Sequence, residues 1–176
     1  MLIDDFRTEY KRYRALGERA MAQTPDDALN VLPGAEANSM AMIVRHVSGN
    51  FVSRFTDFLT TDGEKPDRDR DREFDERSYT RAEIDALWMR GWAVVEAQLQ
   101  ALTDADLERT VTIRRQPLTV HAALSRSLAH VAYHVGQLVL LARMHVGDGW
   151  QSLSIPKGQS EKYNRAPNLE KAPRAH

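Results

Sequence analysis

The chain of 176 residues contains no cysteine. That excludes disulfides, thiolate ligands and a cysteine nucleophile, so a metal site here must be built from nitrogen and oxygen donors. No apolar run approaches the roughly 20 residues of a membrane span, and the opening Met-Leu-Ile-Asp-Asp-Phe carries acids where a secretory signal would carry bases. A cytoplasmic protein with no membrane partner is expected. Nor is there a surplus of one charge: 24 Lys and Arg stand against 25 Asp and Glu, a formal net charge of -1. No global field therefore exists to hold nucleic acid. The remainder, 42% hydrophobic and 28% charged, suits one globular domain with a sizeable core.

Apolar residues recur at helical spacing in four long segments separated by polar or Pro/Gly-marked breaks, the pattern of an all-α four-helix bundle. The first segment covers about residues 2–23 and stops at Thr24-Pro-Asp-Asp27. Asn38 or Ser39 is placed to cap a second, which carries Met40, Ile43, Val44, Val47, Phe51, Phe55 and Phe58 and is expected to reach about Leu59. Residues 62–77 alternate acids with bases and read as a solvated, charge-balanced loop. Thr80 and Glu83 form a capping box for a third helix that ends near Thr103. β-Branched residues alternating between Leu107 and Val120 predict a short hairpin. The last helix is expected from a Thr119 cap to about Met144, ended by Gly147-Asp-Gly149. Residues 1–149 thus form the bundle domain, and 150–176 an irregular C-terminal extension.

Within the last helix His130 and His134 are four residues apart, so both imidazoles lie on one face and can converge on one ion. Spacing alone does not decide, since six histidines scattered over this length give such a pair in about one chain of six. The plainer reading is two polar residues lining a helix interface. His46 lies at the edge of the apolar stripe of the second helix, with Asn50 one turn later, where it can hydrogen-bond a substrate or a ligand. Gln137 points one turn beyond His134 toward the same face, whereas Tyr133 points away and reads as packing. His121 and His145 are too far along the axis to share the ion, and His176 sits in the tail. In that tail Lys157 and Ser160 offer a cation and a hydroxyl to an anionic substrate.

A histidine in the second helix, the element His130-Val-Ala-Tyr-His134-Val-Gly136-Gln137 and an intervening helix plus hairpin resemble the DinB/YfiT-like superfamily of metal-binding four-helix bundles, over about residues 2–146. The stretch from Trp150 to Ser160 is similar to a subgroup of that superfamily without a settled function. The resemblance implies one divalent transition metal, zinc or nickel, on His46, His130 and His134, and a homodimer. It further implies a transferase joining a low-molecular-weight thiol, such as bacillithiol or mycothiol, to an electrophilic small molecule. A chain without cysteine must receive any such thiol from a diffusible molecule. Two other readings use the same residues: a metal-stabilised module that binds a small ligand or serves in stress response without turnover, and a metal-dependent hydrolase, which needs a proton-transfer group near the reacting water.

Overall fold

A computed structural model describes residues 1–167. Four long helices, α1 (Leu2–Gln23), α2 (Met40–Phe55), α3 (Arg81–Ala101) and α4 (Val120–Val146), carry the core, with strands β1 (Thr110–Ile113) and β2 (Gln116–Thr119) between α3 and α4. A short helix α5 (Ser160–Asn164) lies in the C-terminal segment. Among the described residues no helix is long and apolar enough to cross a membrane. His176 lies outside the described residues.

Local chemistry accounts for the boundaries. Ser39 Oγ accepts from Met42 N and Thr119 Oγ1 from Ala122 N, each satisfying an otherwise orphaned N–H at a helix start. At α3 the Thr80 and Glu83 side chains cap one another's backbone N–H groups. Gly147, at φ 61°, ends α4 where a side chain would be strained. Helix α2 stops four residues short of Leu59, because Asp57 turns to φ 49° and its carbonyl accepts from the N–H groups of Thr60 and Thr61. Phe58 still reaches the core, 5.3 Å from the Phe55 ring. The apolar period thus continues through a turn, which spacing alone reads as helix.

Around the bundle α1 pairs with α4 and α2 with α3. Helices α1 and α4 run parallel: Phe6 meets His121, and Tyr10 Oη donates to the Leu124 carbonyl at 3.0 Å. Helix α3 runs antiparallel to α1, with Arg7 donating to Leu99 O and Arg14 to Glu96. Tyr10, Phe51, Phe55, Trp88 and Trp92 form a tilted and edge-to-face aromatic centre. Beyond α4 the chain folds back on α1: Gln151 exchanges two hydrogen bonds with the Gln23 side chain, and Trp150 and Leu153 pack on the core.

Residues 62–77 depart most from expectation. They form a strap across α2, with a 3₁₀ turn at Asp71–Phe74, and bury the side chains of Arg68 and Glu73 to 5% and 7% exposure. The strap is also tied to the hairpin. Gly63 N donates to Thr112 O, and the Asp62 carboxylate accepts from the N–H groups of Arg114 and Arg115 at 2.8 and 2.7 Å.

The α2–α3 contact is close enough to require Gly91: a Cβ there would lie 2.8 Å from Ser48 Cα. At Gly136 of α4 a Cβ would meet nothing within 4 Å. Gly91→Ala is therefore expected to cost about 1–3 kcal/mol in urea unfolding, while Gly136→Ala stabilises by roughly 0.5–1 kcal/mol. Equal effects at the two positions would refute the close-packing account.

Candidate metal centre

Helix α2 brings His46 against the face of α4 that carries His130 and His134. His46 Nε2 lies 3.1 Å from His130 Nε2, and His134 Nε2 lies 3.2 Å from the same atom. The three ligand atoms all fall within 4.8 Å of one another. Among the described residues no fourth His, Asp or Glu joins them, and His121 and His145 stand apart.

Their outer nitrogens fix the tautomers. Glu73 Oε2 accepts from His46 Nδ1 at 2.8 Å, and a carboxylate can only accept, so His46 carries its proton on Nδ1. Gln137 Oε1 accepts from His134 Nδ1 at 2.8 Å while its Nε2 donates to Tyr133 Oη at 3.3 Å, an arrangement that places the His134 proton on Nδ1 likewise. In the neutral form of His46 and His134 the Nε2 lone pairs then face His130 Nε2. The His130 Nδ1 is buried without a hydrogen-bond partner. Three imidazole nitrogens so arranged repel one another unless a proton or cation lies between them. Separations of 3.1 and 3.2 Å match two imidazoles each about 2.0–2.1 Å from one ion. The donor set therefore fits a divalent transition metal.

Ionisation favours the same assignment. Burial, with the charges of His134, His46, Arg68 and Arg54, pushes His130 down to about 3 from 6.5. Burial also lowers His134, against the hydrogen bond to Gln137. Both rings are thus neutral donors at neutral pH. Burial pushes the Glu73 carboxyl up, but hydrogen bonds from His46 and Arg68 outweigh it and hold the group below its ordinary value, so it is anionic. Arg68 grips it with Nε on Oε1 and Nη2 on Oε2, both at 2.8 Å. Phe74 covers the His46 ring at 4.8 Å.

Several side chains hold places that spacing did not assign. Glu73 and Arg68 come from the segment read as solvated, and their burial depends on Gly49, whose missing Cβ makes room for the Glu73 carboxylate. Gln137, on the same face as His134, hydrogen-bonds that ring at 2.8 Å. Tyr133 is exposed and hydrogen-bonds Gln137. Asn50 lines a cavity of about 270 Å³ that reaches His46 and His130, as do Arg54, Arg68 and Arg126. Lys157 and Ser160 are exposed in the tail and do not line that cavity.

A family model described as "Protein of unknown function (DUF1572)" matches residues 1–159. The fold is similar to that of a DinB-like protein, YjoA, from Bacillus subtilis, with TM-score 0.55 and 17% identity over 88% of this chain and 96% of that one. At that identity the likeness is one of fold. No curated protein matches the chain.

Glu73→Gln, which keeps an oxygen but loses the charge, is expected to weaken metal affinity by about 10–100-fold in chelator competition. Gly49→Ala should do the same by expelling the carboxylate. Unchanged affinity in both variants would remove Glu73 from the site. Acid tests His130 directly in metal-free protein. Its folded value lies near 3 against 6.5 unfolded, so unfolding takes up a proton across that interval; the contribution is intact above pH 6.5 and lost as pH falls toward 3. His130→Gln should therefore gain in urea midpoint relative to the parent between about pH 7 and about pH 5. A constant difference would contradict the burial of that ring.

Proposed function

The chain belongs to the DUF1572 family of unknown function, and from that premise we propose that it is a metal-dependent transferase joining a low-molecular-weight thiol to an electrophilic small molecule. The observation that carries this reading is the three-histidine set, which lacks a fourth protein ligand among the described residues and adjoins a cavity. Zinc or nickel on His46, His130 and His134 would supply Lewis acidity that favours the thiolate form of a thiol. A structural ion would instead be closed by four protein ligands.

The protein's own side chains bind and orient. Glu73 keeps the His46 proton on Nδ1, Gln137 does so for His134, and Phe74 screens the His46 ring from water. The cavity offers Phe55, Phe58 and Ile113 to an apolar portion of the substrate. In the reaction the sulfur lone pair forms the new C–S bond, the carbon–leaving-group bond breaks, and the leaving group departs with its electron pair. The thiol proton goes to solvent. This displacement needs no general base in the wall, and the cavity lining includes no Asp or Glu. Hydrolysis, which calls for such a group, is correspondingly less well supported.

The test is thioether formation from chlorodinitrobenzene with cysteine, glutathione, bacillithiol and mycothiol in turn, using zinc- and nickel-loaded protein. At least one pair should react about 100-fold or more faster than with His46→Ala. If every thiol reacts no faster than with metal-free protein, the transferase reading falls and a non-catalytic binding module takes its place.

A further inference from the structure

The cavity beside the histidines is walled by guanidinium groups. Arg54 reaches it from α2, Arg68 and Arg70 from the strap, Arg114 from the hairpin turn and Arg126 from α4. Five positive charges from four separate elements converge on one concave surface. None of the carboxylates that partner them lines it.

Those carboxylates are too few to cancel the charge. Glu64 Oε2 accepts from both Arg54 Nη2 and Arg114 Nε at 2.9 Å, with its other oxygen 4.0 Å from Arg68. Glu73 is held by Arg68 and by His46. Two carboxylates are thus shared among three arginines. Arg70 lies over the Phe74 ring at 5.2 Å, and its one ion pair among the described residues is a 3.7 Å contact with Asp71, which is 98% exposed. Arg126 is exposed and has no ion pair or hydrogen bond among the described residues. Burial lowers the Arg54 pKa, Glu64 opposes this, and the charges of Arg68 and Arg114 lower it further, so the like charges are felt.

The hairpin turn adds a second, independent observation. Arg114 and Arg115 occupy both central positions at φ 53° and 62°, a left-handed conformation that Asn-Gly adopts with far less strain. Asp62 holds the turn through both backbone N–H groups, so the conformation is over-determined by its surroundings. What arginine adds at the first position is a guanidinium on the cavity wall.

We propose that this cavity receives an oxyanion, a carboxylate or phosphate group, of the small molecule that reacts at the histidines. Arg126 and Arg114 are its leading donors, and Phe55, Phe58 and Ile113 take the attached carbon skeleton. The inference deepens the transferase reading and rests on the same site, yet its test reads binding and not turnover. Arginine suits the task because its planar fork pairs two donors with the two oxygens of a carboxylate or phosphate. It takes over the part that the sequence offered to Lys157.

Calorimetric titration with succinate, inorganic phosphate and neutral succinamide, on metal-loaded and chelator-treated protein, decides the matter. At least one anion should bind both forms, succinamide neither. Affinity should fall by about tenfold or more in Arg126→Gln, an exposed position whose substitution leaves the bundle intact by circular dichroism. Raising salt from about 20 to about 200 mM should weaken the parent more than the variant. Binding of succinate alone assigns a carboxylate, of phosphate alone a phosphoryl group. Failure of both anions, or binding that requires metal and is unchanged in Arg126→Gln, overturns the proposal. A chain inactive in the thiol assay leaves this titration decisive, and a failed titration leaves the thiol assay standing.

Discussion

A carboxylate withdrawn from water is tolerated only when charge and hydrogen bonds replace its hydration, and Glu73 is compensated on two sides at once. Arg68 supplies a two-pronged ion pair and His46 an N–H. That chain, Arg68 to Glu73 to His46, joins the strap to α2, and the direction of the His46 ring follows from it. Removing Arg68 would leave the buried carboxylate without its ion pair, an arrangement that typically costs about 3–5 kcal/mol. Strap and ring are therefore ordered together. The α2 backbone makes this possible at Gly49, where any side chain would occupy the place of the carboxylate.

The bundle sets the remaining geometry. His130 and His134 are set one turn apart on a single helix, so their backbone separation follows from α4 alone, while Gln137 directs the His134 ring. His46 must be carried to them by the packing of α2, which is held against α3 by the Ser48–Gly91 approach and by the Ser48 hydroxyl donating to Leu87 O at 2.6 Å. A site divided between one rigid element and one packed neighbour is sensitive to side-chain volume far from any ligand. Preorganisation of this kind needs supporting groups as much as ligands, and Glu73, Gln137 and Phe74 supply them.

Features that depend on neighbours along the chain were legible in the sequence. The capping box at Thr80 and Glu83, the caps at Ser39 and Thr119, the glycine at the end of α4 and the one-turn spacing of the histidines all lie within a few residues, and each appears in the structure. Features that depend on pairing across the fold were not. In Arg68-Asp-Arg-Asp-Arg-Glu73 each charge looks alike, and only the approach of α2 selects Arg68 and Glu73 for burial. Phe58 satisfied the helical period while entering the core from a turn. Gln137 lay on the right face, but its hydrogen bonds to His134 and Tyr133 depend on side-chain directions that spacing does not give. The positive φ of Arg114 and Arg115 had no local signal, because the anchoring acid, Asp62, lies about fifty residues upstream.

Electrostatics ties the two halves of the site together. Three neutral imidazoles contribute no negative charge to an ion they hold, and the nearest carboxylate, Glu73, is already matched by Arg68. A divalent ion at His46, His130 and His134 would therefore raise the potential of a cavity where arginines already outnumber their partners. Such a field destabilises a cation or a neutral thiol relative to its thiolate, and it disfavours an uncharged ligand that leaves the guanidiniums bare. Burial lowers His130 first and the charges of Arg68 and Arg54 add to it, and the same arginine surplus makes an anion the missing complement. Had this field served only to hold the strap in place, further acids at the cavity wall would have served better. Instead both carboxylates bind the guanidiniums from outside the lining and leave the inner face unpaired.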